Sequence, residues 1–444
     1  MPPMKDRSQI RKIAETLKIP ITEAILQSFK NISRREGRNF TLFAACPNSE
    51  AVLKAALVAA KKANAPIKFA ATLNQVDLDG GYTKWNQERF VQRAQEFAQD
   101  IEYDGPVIIA LDHGGPYVKD LHRMQNWPFE RAMAAAKDSL SACLLAGYDL
   151  LHIDATVDPA FKGRASVPME IVVDRTVELI EHVEHIRSER ELPPVSYEVG
   201  TEEVEAGMTN PEDFKKFLEV LKERLLKHNL QDVWPCFIVG RVGTDLHTTT
   251  FDSNIAMKLV EIAATYGSVI KGHYTDYVVN LEAYPASGVG GANVGPEFSD
   301  AEYKALISLV EMEEKLASER KVASLSNLDR VLKDAVVASR RWEKWSRGDE
   351  WGRSFNELSA ERQTWLIRTG CRYIWTEDRV FEARRKLYQN LLRNGIEPDK
   401  TVIEKIVELM MKYFRAFNLI DILPKIQSEL QQIRSRVPIS RGTI

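Results

Sequence analysis

Val107-Ile108-Ile109-Ala110-Leu111-Asp112-His113-Gly114-Gly115-Pro116 joins an apolar run to a polar, glycine-rich end. Its first half is apolar and rich in β-branched side chains. Asp104-Gly105-Pro106 before it marks a turn, so the run predicts a buried strand. Asp112, His113 and the glycines after them are too polar and too permissive to continue a packed strand, and a loop is expected there. An acid and an imidazole then stand at the strand's carboxyl end. In a barrel of alternating strands and helices that rim carries the chemistry. A lone Asp-His pair more often just caps the next helix. The case for chemistry is that other strands in the chain end in the same way.

Working outward, strands are expected at Phe40 to Cys46 and Pro66 to Leu73, then at Tyr148 to Ala155, Val195 to Gly200, Cys236 to Gly240, Ser268 to Gly272 and near Gly291 to Val294. Between them run helical patterns: Ser49 to Ala63 with Ser49 as a possible N-cap, Gln87 to Ile101, Phe129 to Ala146, Pro168 to Ser188, Asn210 to His228, Asn254 to Tyr266 and Asp300 to Ala317. Short strands alternating with helices imply parallel pairing with right-handed crossovers, and the count fits a closed (β/α)8 TIM barrel of the α/β class better than an open sheet. Strand eight is the weakest element, because Ala286 to Gly291 is mostly small residues. No Gly-x-Gly-x-x-Gly opens a helix and no Walker loop is present, so nucleotide folds have nothing to rest on.

Residues 1–38 are polar and read as an N-terminal helical extension on the outside of the fold, with helices at Ser8 to Leu17 and Ile21 to Lys30. Residues 39–320 are the expected barrel. Residues 321–444 read as an all-helical C-terminal appendage with helices at Leu325 to Arg340, Glu357 to Trp375, Arg379 to Asn394, Lys400 to Phe417 and Leu423 to Arg436. Its aromatics, Trp342, Trp345, Trp351, Trp365, Tyr373, Trp375, Tyr388 and Tyr413, are expected to be core or subunit interface rather than a binding platform.

At 444 residues the chain accommodates a barrel plus additions, and 44% apolar with 28% charged content is ordinary for a globular protein. A net charge of −3 gives no reason to expect nucleic acid or an anionic membrane as partner. Cys46, Cys143, Cys236 and Cys371 lack metal-ligand spacing and read as reduced thiols. No signal peptide or membrane span is apparent, so a cytoplasmic location is expected.

Of eight histidines, His113, His247 and His273 fall at or just past a strand's carboxyl end. Three imidazoles converging on one rim make a facial set for Zn2+ or a similar divalent ion, with positions left for water and substrate. His152 alternates with Asp154 on strand four, and both are expected to support the metal from behind. His122 is read as a loop residue within reach of substrate at best, and His182, His185 and His228 as solvated helix residues. Carboxylates crowd the same rim: Asp112, Asp154, and Glu198 and Glu202 on and after strand five. Asn293 follows strand eight. A metal with an acid or base beside it is what enolate chemistry needs.

These residues resemble class II, metal-dependent aldolases. The closer resemblance is to the companion-subunit family of tagatose-1,6-bisphosphate aldolase. It is carried by Asn74-Gln75-Val76 with Gly80-Gly81-Tyr82-Thr83, Asp112-His113 with Gly115-Pro116, and His152-Ile153-Asp154-Ala155. Gly200-Thr201-Glu202, Gly272-His273 with Thr275-Asp276-Tyr277, and Val294-Gly295-Pro296 complete it, from about residue 40 to 310. The resemblance implies a metal on His113, His247 and His273, most readily Zn2+, with Mn2+, Ni2+ or Co2+ as alternatives. It implies Asp112 and Glu202 as proton carriers, and Asn74, Gln75, Asp154, Glu198, Asp276 and Asn293 around a ketose or ketose-phosphate substrate. A homo-oligomer, or assembly with a class II aldolase subunit, is expected. Two loops depart from the family pattern: Glu203-Val204-Glu205-Ala206-Gly207, and Tyr117-Val118-Lys119-Asp120. Lys119, Arg123, Lys162 and Arg164 are candidate contacts for a phosphate or carboxylate.

Three readings follow. The first is an enzyme acting at C3–C4 of a ketose or ketose phosphate through a metal-stabilised enediolate, by 4-epimerisation or retro-aldol cleavage. The second is a non-catalytic accessory subunit of a class II tagatose-bisphosphate aldolase. The third is an unrelated metal-dependent isomerase on the same barrel.

Overall fold

The computed structural model describes residue 6 and residues 8–161, 167–200, 209–244 and 249–436. Eight strands, β1 (Leu42–Ala45), β2 (Ile67–Thr72), β3 (Val107–Gly114), β4 (Leu150–Ile153), β5 (Ser196–Gly200), β6 (Phe237–Val239), β7 (Val269–Gly272) and β8 (Gly291–Val294), close into a barrel in chain order. Every neighbouring pair is parallel, including the β1–β8 seam that joins Leu42 to Gly291 and Ala45 to Val294. The chain is a (β/α)8 TIM barrel.

The helices that return the chain outside the barrel are Glu50–Ala63, Gln87–Asp100, Phe129–Ala146, Met169–Glu189, Pro211–Lys227, Ser253–Thr265 and Pro296–Ser318. Between β7 and β8 the return is made by the short helix Ala283–Ala286. Ser49 caps as expected, its Oγ accepting from the Val52 amide at 3.2 Å. The last return helix starts four residues earlier than expected. Pro296 occupies its first position, and the Asp276 carboxylate accepts from the Gly295 and Glu297 amides at 3.0 and 2.8 Å.

Strand eight reads weakly because its interior has no space for side chains. A Cβ on Gly291 would stand 2.8 Å from the Phe237 ring and 3.4 Å from Lys271 Cγ. Strand three differs from expectation in the other direction. It runs on through Asp112 and His113 to Gly114, and its register to β4 shifts between Leu111 and Gly114. This bulge puts His113 in the left-handed region at φ +55°, which re-aims its side chain.

The helix Gln9–Leu17 closes the amino-terminal end of the barrel rather than lying on its outer wall. Buried Arg11 donates to both carboxylate oxygens of Asp149 at 2.7 and 3.0 Å and to the Val107 carbonyl at 2.9 Å, tying the starts of β3 and β4. The second helix, Ile21–Glu36, continues past the expected Lys30 to a glycine C-cap at Gly37.

The C-terminal helices are Leu328–Ser339, Ala360–Gly370, Asp378–Leu392, Pro398–Ala416 and Leu423–Arg436. Short 3-10 turns at Phe355–Glu357 and Cys371–Tyr373 divide what the periodicity suggested as one helix from Glu357 to Trp375. Tyr413 stacks on Phe43 of β1 with centroids 5.5 Å apart, and its hydroxyl donates to Glu297. Trp342, Trp375 and Tyr413 are core, whereas Trp351 is 76% exposed. Among the described residues no helix is long and apolar enough to cross a membrane.

Candidate metal centre

Parallel neighbours in register face the same side of a sheet, and His152 pairs with Glu198 across β4 and β5. Both side chains point into the barrel, as do Asp112, Lys271 and Lys68. The interior layer of a barrel is ordinarily filled by branched apolar side chains. Here it holds a charged network. Lys271 Nζ donates to Glu198 Oε1 and stands 3.4 Å from Asp112 Oδ1. Lys68 Nζ is 3.9 Å from Glu198 Oε2 and lies over the Phe237 ring at 4.8 Å.

Above this layer, ligand atoms of Asp112, His113, His152 and His273 all lie within 4.8 Å of one another. The His113 ring centroid is 4.7 Å from that of His152 and 4.8 Å from that of His273. His113 Nδ1 is 2.7 Å from Asp154 Oδ2, which fixes the tautomer with the lone pair on Nε2 and aims the ring. Thr156 holds the other oxygen of Asp154 through its amide at 3.0 Å and its hydroxyl at 2.5 Å. His152 Nδ1 accepts from the His113 amide at 3.2 Å, and its buried Nε2 has no hydrogen-bond partner. Asn293 Nδ2 donates to Asp112 Oδ1 at 3.0 Å, while its Oδ1 is likewise buried and unpartnered.

The electrostatics follow from burial opposed by charge. Burial raises a carboxylate, but Lys271, His113 and His273 hold Asp112 well below the usual range. Burial is outweighed in the same way at Glu198 by Lys271 and His152, and at Asp154 by the hydrogen bond and charge of His113. Burial pushes His152 down, against the pull of Glu198, and so favours its neutral form. Burial together with Lys271 brings Lys68 down to about 8. Three carboxylates, Asp112, Asp154 and Glu198, thus face two lysines and three imidazoles. Such a donor set fits a divalent cation, and so does the orphaned Asn293 Oδ1.

Of the residues expected to bind metal, the structure brings His113 and His273 together. His247 lies outside the described residues. His152, expected behind the metal, stands among the potential ligands. Asp112 is at the centre, and Glu202 is outside the described residues, as are Lys162 and Arg164. Several expected substrate contacts are already committed to the protein. Asn74 donates to the Val118 carbonyl and accepts from the Asp120 amide, and Gln75 accepts from the Thr72 amide and donates to Asn48. Asp154 is the partner of His113 and Thr156, and Asp276 caps a helix. Glu198 is fully buried beneath the histidines. Within that group Asn293 Oδ1 and Glu198 Oε2 are buried without a hydrogen-bond partner. Lys119 is paired with Asp77 and Asp79, and Arg123 with Asp120. His122 is buried on the short helix Asp120–Met124, its ring 4.5 Å from that of Trp127.

The two interior lysines were missed by sequence reasoning, although each left a signal. Lys68 is a lone charge inside the apolar run Ile67 to Ala71, and Lys271 stands two residues before His273 on the same face of β7.

A family model described as "D-tagatose-1,6-bisphosphate aldolase subunit GatZ/KbaZ-like" matches residues 27–425. The chain belongs to this GatZ/KbaZ-like family. The match takes in the whole barrel and most of the C-terminal helices. Among solved structures, the chain is similar to a probable tagatose 6 phosphate kinase from Sinorhizobium meliloti 1021, with 23% identity and a TM-score of 0.66. The alignment covers 89% of this chain and 98% of that one. It is also similar to the fructose-bisphosphate aldolase of Campylobacter jejuni, at 13% identity and a TM-score of 0.52, covering 90% of this chain and 95% of that one. At these identities the two structures show the shared fold. The GatZ/KbaZ-like assignment rests on the family match.

Proposed function

We propose that this GatZ/KbaZ-like chain is a metal-dependent enzyme acting at C3–C4 of a ketose or ketose phosphate, by 4-epimerisation, retro-aldol cleavage, or both. The observation that carries the reading is the convergence of Asp112, His113, His152 and His273 at the rim over a buried Lys271–Glu198 pair. Buried ionisable groups are costly to maintain and cluster where chemistry is done.

His113, His152 and His273 would hold the ion, with His247, which the family resemblance implies as a ligand, as a further member of the set. Zn2+ suits three imidazoles best, with Mn2+, Ni2+ and Co2+ as alternatives. When bound, the ion polarises a substrate carbonyl and offsets developing negative charge. Asp154 orients His113. Asp112, kept anionic and fixed by Asn293 and Lys271, takes and returns the proton of a substrate hydroxyl, with Glu202 as the second proton carrier. Asn293 Oδ1 accepts from a substrate hydroxyl.

The family description, an aldolase subunit, favours one second reading: a non-catalytic companion that supports a class II aldolase. One experiment separates the two. The purified chain, alone and with added Zn2+ or Mn2+, is incubated with fructose, tagatose and their phosphates and followed by NMR. Chelator-sensitive interconversion establishes the epimerase, and triose products establish cleavage. No turnover, together with activation of a class II aldolase on mixing, would overturn the proposal in favour of the companion role.

A further inference from the structure

Burying an arginine without a carboxylate is costly, and native folds do it where a ligand supplies the anion. Arg372, from the 3-10 turn Cys371–Tyr373, is 5% exposed. Its Nη1 has no hydrogen-bond partner, and among the described residues no carboxylate lies within ion-pairing distance of it. Its guanidinium stands 4.7 Å from the Trp345 ring centroid and 4.8 Å from that of Tyr373. These rings hold the fork in place, and the carboxylate whose charge acts on it is Asp276, beyond ion-pairing distance.

The neighbourhood is strongly cationic. Arg341 lies over Tyr373 at 4.4 Å, while Arg341, Lys344 and Arg123 all share the single carboxylate of Asp120. Although buried, which by itself would raise it, the Tyr373 phenol is held below its ordinary value by Arg372, Lys344 and Arg341. The region is also tied to the rim. Tyr373 meets Tyr82 edge-on at 5.2 Å, and Thr376 Oγ1 donates to the Tyr82 carbonyl at 2.9 Å. Tyr82 in turn donates to Asn48 at 2.6 Å, and Asn48 donates to the Gly295 carbonyl just past β8 at 3.3 Å. The charge of Arg372 reaches both Asp276 and Tyr82.

We propose that Arg372, held between Trp345 and Tyr373 beside Tyr82, is an anion subsite that takes the phosphate group of the substrate. The proposal rests on the reading of the rim as a ketose-phosphate site and deepens it: the specificity for a phosphorylated sugar is supplied by the C-terminal helices. Lys119 and Arg123, the basic loop residues that the sequence offered for this role, are already neutralised by acids.

The test titrates inorganic phosphate into the full-length chain by calorimetry, without metal and without turnover. Saturable binding is expected, weakened about tenfold or more in Arg372→Gln, which keeps a planar donor and loses the charge. With metal and substrate, the same variant should lose most of the preference for ketose phosphate over free ketose. If the Gln variant does not fold, Arg372→Lys decides, with about fivefold weaker phosphate binding expected because an ammonium cannot form the fork. Absence of phosphate binding in the wild type, or unchanged affinity in the folded variant, overturns the subsite. Phosphate binding through Arg372 in a chain that turns over no ketose would uphold the subsite while overturning the enzymatic reading. Turnover indifferent to the phosphate would do the reverse.

Discussion

Asp154 Oδ2 stands 2.7 Å from His113 Nδ1, and this contact sets which nitrogen of His113 faces the candidate metal centre. The pair spans two strands and compensates for an unfavourable backbone. His113 sits at φ +55°, which costs about 1–2 kcal/mol for a residue other than glycine.

Asp154→Asn should therefore lower divalent-metal affinity by about 10- to 100-fold while leaving the barrel folded. Competition with a chromophoric chelator measures the affinity, and circular dichroism checks the fold. Wild-type affinity in this variant would remove Asp154 from the metal site.

Gly115 makes a second demand on the same rim. A Cβ there would fall 1.7 Å from the Asp154 carbonyl, so Gly115→Ala must push β3 and β4 apart. A loss of about 3 kcal/mol in unfolding free energy is expected, with weakened metal binding alongside. Urea denaturation reads the first and the chelator assay the second, and a variant as stable as wild type would contradict the packing described.

Lys271 neutralises Glu198 and Asp112 where no water can. Lys271→Met leaves two buried carboxylates with Lys68 as the remaining lysine and the histidines as their other partners. It should cost about 3–5 kcal/mol, seen as a lower denaturation midpoint at unchanged slope. A cost under about 1 kcal/mol would mean that the pair is solvated.

Asp276 gives a pH dependence of opposite sign to most carboxylates. Burial, aided by the charge of Glu297, pushes it up to about 7 against the backbone amides it caps. The folded value exceeds the unfolded one, so its stabilising contribution is fully present below about pH 4 and is lost as pH rises through about 7. At about 1.4 kcal/mol per unit this amounts to about 4 kcal/mol at most. Asp276→Asn keeps the acceptor and removes the titration, so between pH 4.5 and pH 8 its stability should gain on that of the wild type. A constant difference at the two pH values would refute the shift.

Much of the fold was legible because periodicity reports burial. Strands three and six stood out as apolar runs, and the Ser49 cap and the Phe129–Ala146 helix were found where the pattern put them. Strand eight was faint for the reason that makes it work: its glycine yields space to Phe237 and Lys271. Asp112, His113 and His273 were legible because chemistry-bearing residues at strand ends stand out against an apolar background. The expected substrate contacts at Asn74, Gln75, Asp276 and Glu198 were less so, because a polar residue at a rim looks the same in sequence whether it faces a ligand or latches a loop.

The eight-fold alternation of strand and helix, the family resemblance and the imidazoles at the strand ends could be read from residues alone, since these depend on local pattern and spacing. That His152 joins the cluster, that Lys271 and Lys68 lie inside the barrel beneath it, and that Arg372 comes near Tyr82 from the C-terminal helices emerged with the folded chain. Those facts depend on which side chains closure of the barrel brings within a few ångströms. Burial then sets their charge, and no stretch of sequence contains that distance.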